Sequence, residues 1–342
     1  MPQPQFAIIA DDLTGALDAS APFAGISGGV AVATRADALP QALSLEPGVV
    51  AVSTRSRELD PVAAQVAVEI ALAGLPTGPR IIKKIDSRLK GNLAAELAAL
   101  AGAPLFAAPA IPECGRIVRD GHLQGFGIET PLSVREHLGP AGRAATIPDT
   151  STGEEMLQAL GTAPADAILV GARGLCQALA DRSDLPHVSA RTDLPHPLCV
   201  AVGSTDPITL AQVARLREAG EVAYLPCPGG YGDNALVAAK RDIVLIQATE
   251  GTETRPDVVA RNLAYTGAPI LQACRGMVLT GGATAEAILD RLGLATLRVL
   301  GEALPGMPLC DAGDKVVVTK SGGFGEADAL LRLAGLTAEL ES

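Results

Sequence analysis

The chain of 342 residues sets Lys+Arg 27 against Asp+Glu 38, and its net charge of −11 argues against bulk binding to nucleic acid or to an anionic membrane. Aromatic residues are 2%, with no Trp, so platforms for stacking bases are scarce; hydrophobic residues are 48%, enough for the cores of two ordinary domains. No apolar run reaches the length of a membrane span, and the start of the chain lacks the pattern of a signal peptide.

The stretch Phe6–Ala10 is apolar and uncharged and reads as a buried strand of a parallel sheet. Asp11 and Asp12 follow at once, then Thr14, Gly15 and an Ala/Leu-rich helical pattern. Two adjacent carboxylates repel unless a cation, a proton or a substrate hydroxyl sits between them, which makes the pair candidates for general-base or metal work. Helix capping by Asp12 or Thr14 explains the same residues equally well. Val49–Ser53 is a second apolar strand, ending in Thr54-Arg55-Ser56-Arg57 before a helix from Pro61 to about Leu72. Arg57 is placed to hold a carboxylate or phosphate, or else to pair with Glu58 and Asp60. Ile81–Ile85 reads as a third strand that feeds Asp86-Ser87-Arg88-Leu89-Lys90-Gly91-Asn92 and then a helix from Leu93 to Leu100 capped by Asn92. Basic residues at such a strand-to-helix turn make an anion seat. Leu105–Ala108 is a fourth strand, and Ile117–Ile128 suggests a hairpin carrying Arg119, Asp120 and His122. Ser151-Thr152-Gly153-Glu154 reads as a capping box, and Ala167–Val170 as a further strand.

Composition changes over 183–197, where Asp184-Leu185-Pro186-His187 recurs as Asp193-Leu194-Pro195-His196; the window reads as an interdomain connection with both histidines at the surface. A second α/β set follows. Strands at Cys199–Val202, Ile243–Gln247, Met277–Thr280 and Val316–Thr319 each deliver Gly, Ser or Thr to their carboxyl ends. Gly203-Ser204, Gly281-Gly282-Ala283-Thr284 and Lys320-Ser321-Gly322-Gly323 let backbone N–H groups approach a phosphate. Thr284 offers a hydroxyl and Lys320 a point charge. None of these turns matches a Walker loop or a dinucleotide fingerprint. The six cysteines form no C-x-x-C pair and read as reduced thiols of a cytoplasmic protein.

The fold class expected is therefore α/β, with two α/β domains, 1–185 and 198–342, whose largely parallel sheets face a shared interdomain cleft. One lobe would hold a small anionic acceptor and the other ATP. These motifs resemble those of the four-carbon acid sugar kinase family, formerly a domain of unknown function. The resemblance rests on Ala10–Ala16 (A-D-D-L-T-G-A), on Lys84-Ile85-Asp86-Ser87-Arg88-Leu89-Lys90-Gly91-Asn92, on Pro112–His122 and on the three turns of the second half. It implies ATP-dependent phosphorylation of a hydroxyl on threonate, erythronate or 3-oxo-tetronate, with Mg2+ bridging the phosphates. It further implies that ATP lies against Ser204, Gly281, Gly282, Ala283, Thr284 and Gly322, and the acceptor against Asp12, Asp86 and the basic group near Arg88. Asp12 is the expected base, with Asp11 and Asp86 in reserve. Arg57, Arg88, Lys90, Asn92, Arg116 and His122 are the candidate acceptor-binding residues, and Lys320 and Gly323 join the nucleotide set. Lys90, Arg88 and Asp206 depart from the family pattern, and they motivate one alternative, a non-catalytic sensor of a sugar acid or nucleotide. No nucleic-acid or membrane partner is expected; a homodimer is compatible with the sequence.

Overall fold

The computed structural model describes residues 3–186, 188, 191–233 and 241–336. The chain divides into two compact units, Met1–His187 and Val188–Ser342. Of the two histidines read as surface residues, His187 lies outside the described residues, and His196 places Nδ1 2.8 Å from Asp242 Oδ2.

The first unit is built on strands β1 (Phe6–Ala10), β2 (Val30–Ala33), β3 (Val49–Ser53), β4 (Arg80–Lys84) and β5 (Leu105–Ala108). A hairpin of β6 (Arg116–Arg119) and β7 (His122–Gly125) follows, with β8 (Leu132–Ser133) beside it, and β9 (Ile168–Gly171) completes the main sheet. That sheet has the order β2-β3-β1-β4-β9-β5, and every pair in it is parallel. Most of its strands are short apolar runs, as strands buried on both faces are, and all five residues of Val49–Ser53 are buried. The hairpin turns at Asp120-Gly121, both at positive φ (50° and 72°), as a two-residue hairpin loop requires. The capping box sits one residue later than the sequence suggested. Thr152 Oγ1 accepts from Glu155 N, and Glu155 Oε2 accepts from Ser151 N. The helix after β3 runs Pro61–Gly74, and the one after β4 is shorter than expected, Leu93–Ala98.

The second unit contains β10 (Leu198–Val202), β11 (Ala223–Pro228), β12 (Ile243–Thr249), β13 (Gly276–Thr280), β14 (Thr296–Leu304), β15 (Met307–Asp311) and β16 (Val316–Lys320). Their order is β11-β12-β10-β13-β16-β15-β14; the first five are mutually parallel, while β14–β15 and β15–β16 pair antiparallel. Val200, Val202, Leu245, Val278, Val318 and Leu330 fill the core on one side of this sheet. The edge strand β11 and the β14–β15 hairpin were not expected from the sequence, and neither was β2.

Each sheet reverses its winding once at a defined place. From β1 the chain crosses toward β2, whereas from β4 it crosses the other way, toward β5. From β10 it leaves toward β11, and from β13 toward β14. The carboxyl ends of β1/β4 and of β10/β13 are thus topological switch points, where crossover connections diverge and leave a crevice for a ligand.

Candidate active site

In the first unit β3, β1 and β4 are neighbours, so their carboxyl ends bring residues 54–57, 11–12 and 85–92 to one edge. Arg57 is the hub. Its Nε donates to Asp11 Oδ2 (2.7 Å), Nη2 to Asp11 Oδ1 (3.0 Å) and Nη1 to Asp12 Oδ2 (2.7 Å), and Nη2 lies 3.9 Å from Asp86 Oδ2. Of the two readings of Arg57, pairing with its neighbours Glu58 and Asp60 is not seen; it holds the protein's own carboxylates from the ends of two other strands. Burial pushes the Asp11 carboxyl up, but Arg57 and Lys83 outweigh it and hold Asp11 below the usual carboxylate range.

Asp12 takes the capping role weighed for it and joins the Arg57 cluster as well. As N-cap of the helix Leu13–Ser20 its Oδ1 accepts from Gly15 N (2.7 Å), while Oδ2 takes Thr14 Oγ1 (2.9 Å) as well as Arg57. Asp86 is less committed. Its Oδ1 accepts from Arg88 N (2.8 Å) and Lys90 N (3.3 Å), leaving Oδ2 with the 3.9 Å contact alone. The Arg88 and Lys90 side chains are exposed beside it. Two non-glycine residues near this edge have left-handed backbone, Arg55 (φ 53°) and Leu89 (φ 57°), a strain that persists only where surrounding contacts impose it.

Asn92 does not cap its helix by its side chain. Instead, its Nδ2 donates to Ser56 O (2.9 Å) and Leu59 O (2.8 Å), tying down the segment that carries Arg57. Arg116 is buried and reaches the turn after β4 through Nη1 to Ser87 Oγ (2.7 Å). His122 is exposed beside the hairpin turn with Nδ1 2.8 Å from Asp120 O, and nothing links it to the carboxylates.

Two residues not singled out as site candidates in the sequence lie beside this cluster. Lys83 and Lys84 end β4, are 0% and 5% exposed, and point to opposite faces of the sheet. Lys83 Nζ lies 2.8 Å from Glu96 Oε2, while Glu96 Oε1 accepts from Ser56 Oγ. Lys84 Nζ donates to Ile85 O (3.0 Å) and sits 3.0 Å from where a Cβ at Gly15 would lie. Consecutive lysines in a strand buried on both faces were the available signal, because they cannot both reach water.

In the second unit β10, β13 and β16 are neighbours, so the three Gly-containing turns share one edge. They interlock through absent side chains. A Cβ at Gly203 would lie 1.8 Å from Thr284 Oγ1, and one at Gly322 would lie 2.5 Å from Ser204 Oγ. Gly203→Ala should therefore overpack the junction and cost about 1–3 kcal/mol, read as a lower urea midpoint, with Thr284→Ala relieving part of it. Thr284 itself is buried, its hydroxyl packed into the space left by the missing side chain of Gly203. Gly281 has φ 90°, and the helix Gly282–Leu292 that it precedes has no side-chain cap. The first-turn N–H groups of Gly282, Ala283 and Thr284 are thus left for an anion. Asp206, flagged in the sequence as an acidic intruder, caps the helix Pro207–Glu218 by accepting from Ile208 N (2.9 Å). Lys320 is turned inward and fully buried.

Among the described residues, no helix is long and apolar enough to cross a membrane. A family profile for a sugar-binding N-terminal domain matches residues 6–133, and one for a nucleotide-binding C-terminal domain matches residues 230–330. The chain is similar to a D-threonate kinase of Cupriavidus necator, at 32% identity over 94% of this chain and 95% of that one. It is also similar to a D-threonate kinase of Bordetella bronchiseptica, at 29% identity over 97% of both. Among solved structures, the Haemophilus influenzae protein HI1011 superposes with a TM-score of 0.70 at 18% identity, over 96% of this chain and 99% of that one, which speaks to the fold. With an acidic cluster at one switch point, interlocked glycine turns at the other, and these matches along its length, the chain belongs to the four-carbon acid sugar kinase family.

Proposed function

We propose that the protein transfers the γ-phosphoryl group of ATP to a hydroxyl of a four-carbon sugar acid of the threonate class. One observation carries the reading: each half has its chemistry-bearing residues gathered at its own switch point, carboxylates in one and uncapped N–H groups in the other. Phosphoryl transfer needs mainly positioning and charge neutralisation, and these groups supply both. In this proposal Asp86 accepts the proton of the attacking hydroxyl, because its Oδ2 is the least committed carboxylate oxygen of the cluster. Asp12 orients the acceptor, Asp11 anchors Arg57, and the exposed cations Arg88 and Lys90 take the acceptor carboxylate. A cleft shared by the two lobes is part of the proposal.

Mg2+ fits as a companion of the nucleotide. Asp206 commits Oδ1 to its helix cap and keeps Oδ2 3.3 Å from where a Cβ of Gly323 would sit. One carboxylate together with phosphate oxygens is an ordinary Mg2+ environment, and the ion would neutralise phosphate charge there. The sensor alternative was motivated by Asp206, Arg88 and Lys90. Asp206 now has a capping role, and the other two remain available to a ligand.

The test is ADP release with ATP and Mg2+ over D- and L-threonate, D- and L-erythronate and 3-oxo-tetronates. Turnover with at least one of them is expected. Calorimetric ATP binding without turnover on any of them would favour the sensor instead.

A further inference from the structure

Lys320 was read as offering a point charge to phosphate; in the structure its ammonium turns to the protein's own groups. Its Nζ donates to Thr209 Oγ1 (2.8 Å), Ser321 O (3.0 Å) and Gly322 O (3.1 Å), which uses all three of its N–H bonds. Thr209, itself fully buried, also donates to Gly322 O (2.7 Å). One helical turn further on, Gln212 Nε2 lies 2.8–3.1 Å from the carbonyl oxygens of Phe324, Gly325 and Glu326, which share its two N–H bonds. The helix Pro207–Glu218 and the buried ammonium thus collect carbonyl after carbonyl of the loop 321–326 toward the protein interior.

A trans peptide unit holds its C=O and N–H on opposite sides. Drawing Ser321 O inward turns the N–H of Gly322 outward, and drawing Gly322 O inward does the same for the N–H of Gly323. Among the described residues neither N–H finds an acceptor within the protein. Successive outward N–H groups form a concavity that suits an anion.

We infer that Lys320 and Thr209 are positioning residues that shape the Ser321–Gly323 turn for nucleotide phosphate, without either touching the nucleotide. The inference rests on the nucleotide role proposed above and says how this turn acquires its affinity. It also separates this lysine from one that acts as a point charge. A direct phosphate contact would not need Thr209, whereas a carbonyl-gathering centre does.

The same geometry implies a pH dependence. Burial pushes the Lys320 ammonium down to about 8, with Asp206 opposing the shift. Thr209 and Gln212 on the covering helix and Thr280, the register partner of Lys320 on β13, carry no charge. The ammonium is protonated below this value and neutral above it. Carbonyl gathering, and with it phosphate affinity, should therefore be present at pH 7 and fade as the pH passes 8.

The experiment is calorimetric titration of the full chain with ATP and with ADP at pH 7 and pH 9, for the wild type, Thr209→Val and Lys320→Met. We expect the wild type to bind and to weaken severalfold by pH 9. Thr209→Val should bind at least tenfold more weakly at pH 7, although its side chain is out of reach of any ligand, and Lys320→Met should be weak at both pH values. Wild-type affinity in Thr209→Val, with weakening confined to Lys320→Met, would mean direct phosphate contact and overturn the inference while leaving the nucleotide role intact. Failure of the wild type to bind would remove that role and the inference together. Should both variants unfold, a wild-type affinity that does not decline between pH 7 and pH 9 overturns the inference by itself.

Discussion

Asp86→Asn should fold like the wild type, bind ATP with unchanged affinity, and lose turnover by about 10²–10⁴-fold, the range for removal of a general base. The substitution is clean because of how the two oxygens are used. An amide oxygen can replace Oδ1 and still accept the N–H groups of Arg88 and Lys90, so the turn after β4 keeps its shape. What changes is Oδ2, the oxygen with no close partner, which becomes an NH2 group unable to accept a proton. Asp12→Asn is a poorer probe. There Oδ1 caps a helix and Oδ2 receives Arg57, so an amide must either lose the cap or set its NH2 group against the guanidinium. We expect that variant to raise KM as well as lower kcat, since it disturbs Arg57. Steady-state kinetics with the best acceptor separates the two patterns. Turnover within threefold of wild type in Asp86→Asn would return the base role to Asp12.

The opening strand, its paired aspartates and the Gly-rich strand ends were legible because their signals are local. An apolar run stops, and a polar turn begins at the sheet edge. Asp206 was equally local in retrospect, since an Asp before Pro207 is an ordinary helix start. The convergence of Arg57 on Asp11 and Asp12 was not legible, because those residues lie 46 and 45 positions apart and only the order β3-β1-β4 brings them together. The inward turn of Lys320 was not legible because sequence gives a charge without its direction. A lysine at the end of a buried strand can turn outward to a ligand or back onto carbonyls, and the presence of Thr209 beneath it decides. The β14–β15 hairpin escaped because Thr296–Leu304 lacks an uninterrupted apolar run, being broken by Arg298, Gly301 and Glu302. Asn92 was placed correctly and given the wrong bond, since its side chain serves the neighbouring loop instead of its own helix.

Arg57→Met should cost about 3–5 kcal/mol of stability at pH 8, because it leaves the Asp11 charge buried without its partner. Asp11 is 1% exposed, and both of its oxygens rest on Arg57. Met matches the aliphatic stem of Arg, so the loss is chiefly electrostatic. The sign of the pH dependence identifies the cause. In the wild type the folded-state pKa of Asp11 lies below its unfolded value. Its contribution is therefore complete above the unfolded value, about 3.9, and is lost as the pH falls through the folded one. Without Arg57, burial dominates over what Lys83 and Lys84 still supply, and the folded pKa rises above the unfolded value. Stability of the variant should then improve on acidification from pH 8 to pH 5, while the wild type changes little from this group. Urea midpoints at the two pH values test this. A deficit of the same size at both would mean that lost packing, and not a stranded carboxylate, accounts for the effect. Adding Asp11→Asn should recover much of the loss at pH 8, since a neutral amide has far less to lose from burial than a carboxylate.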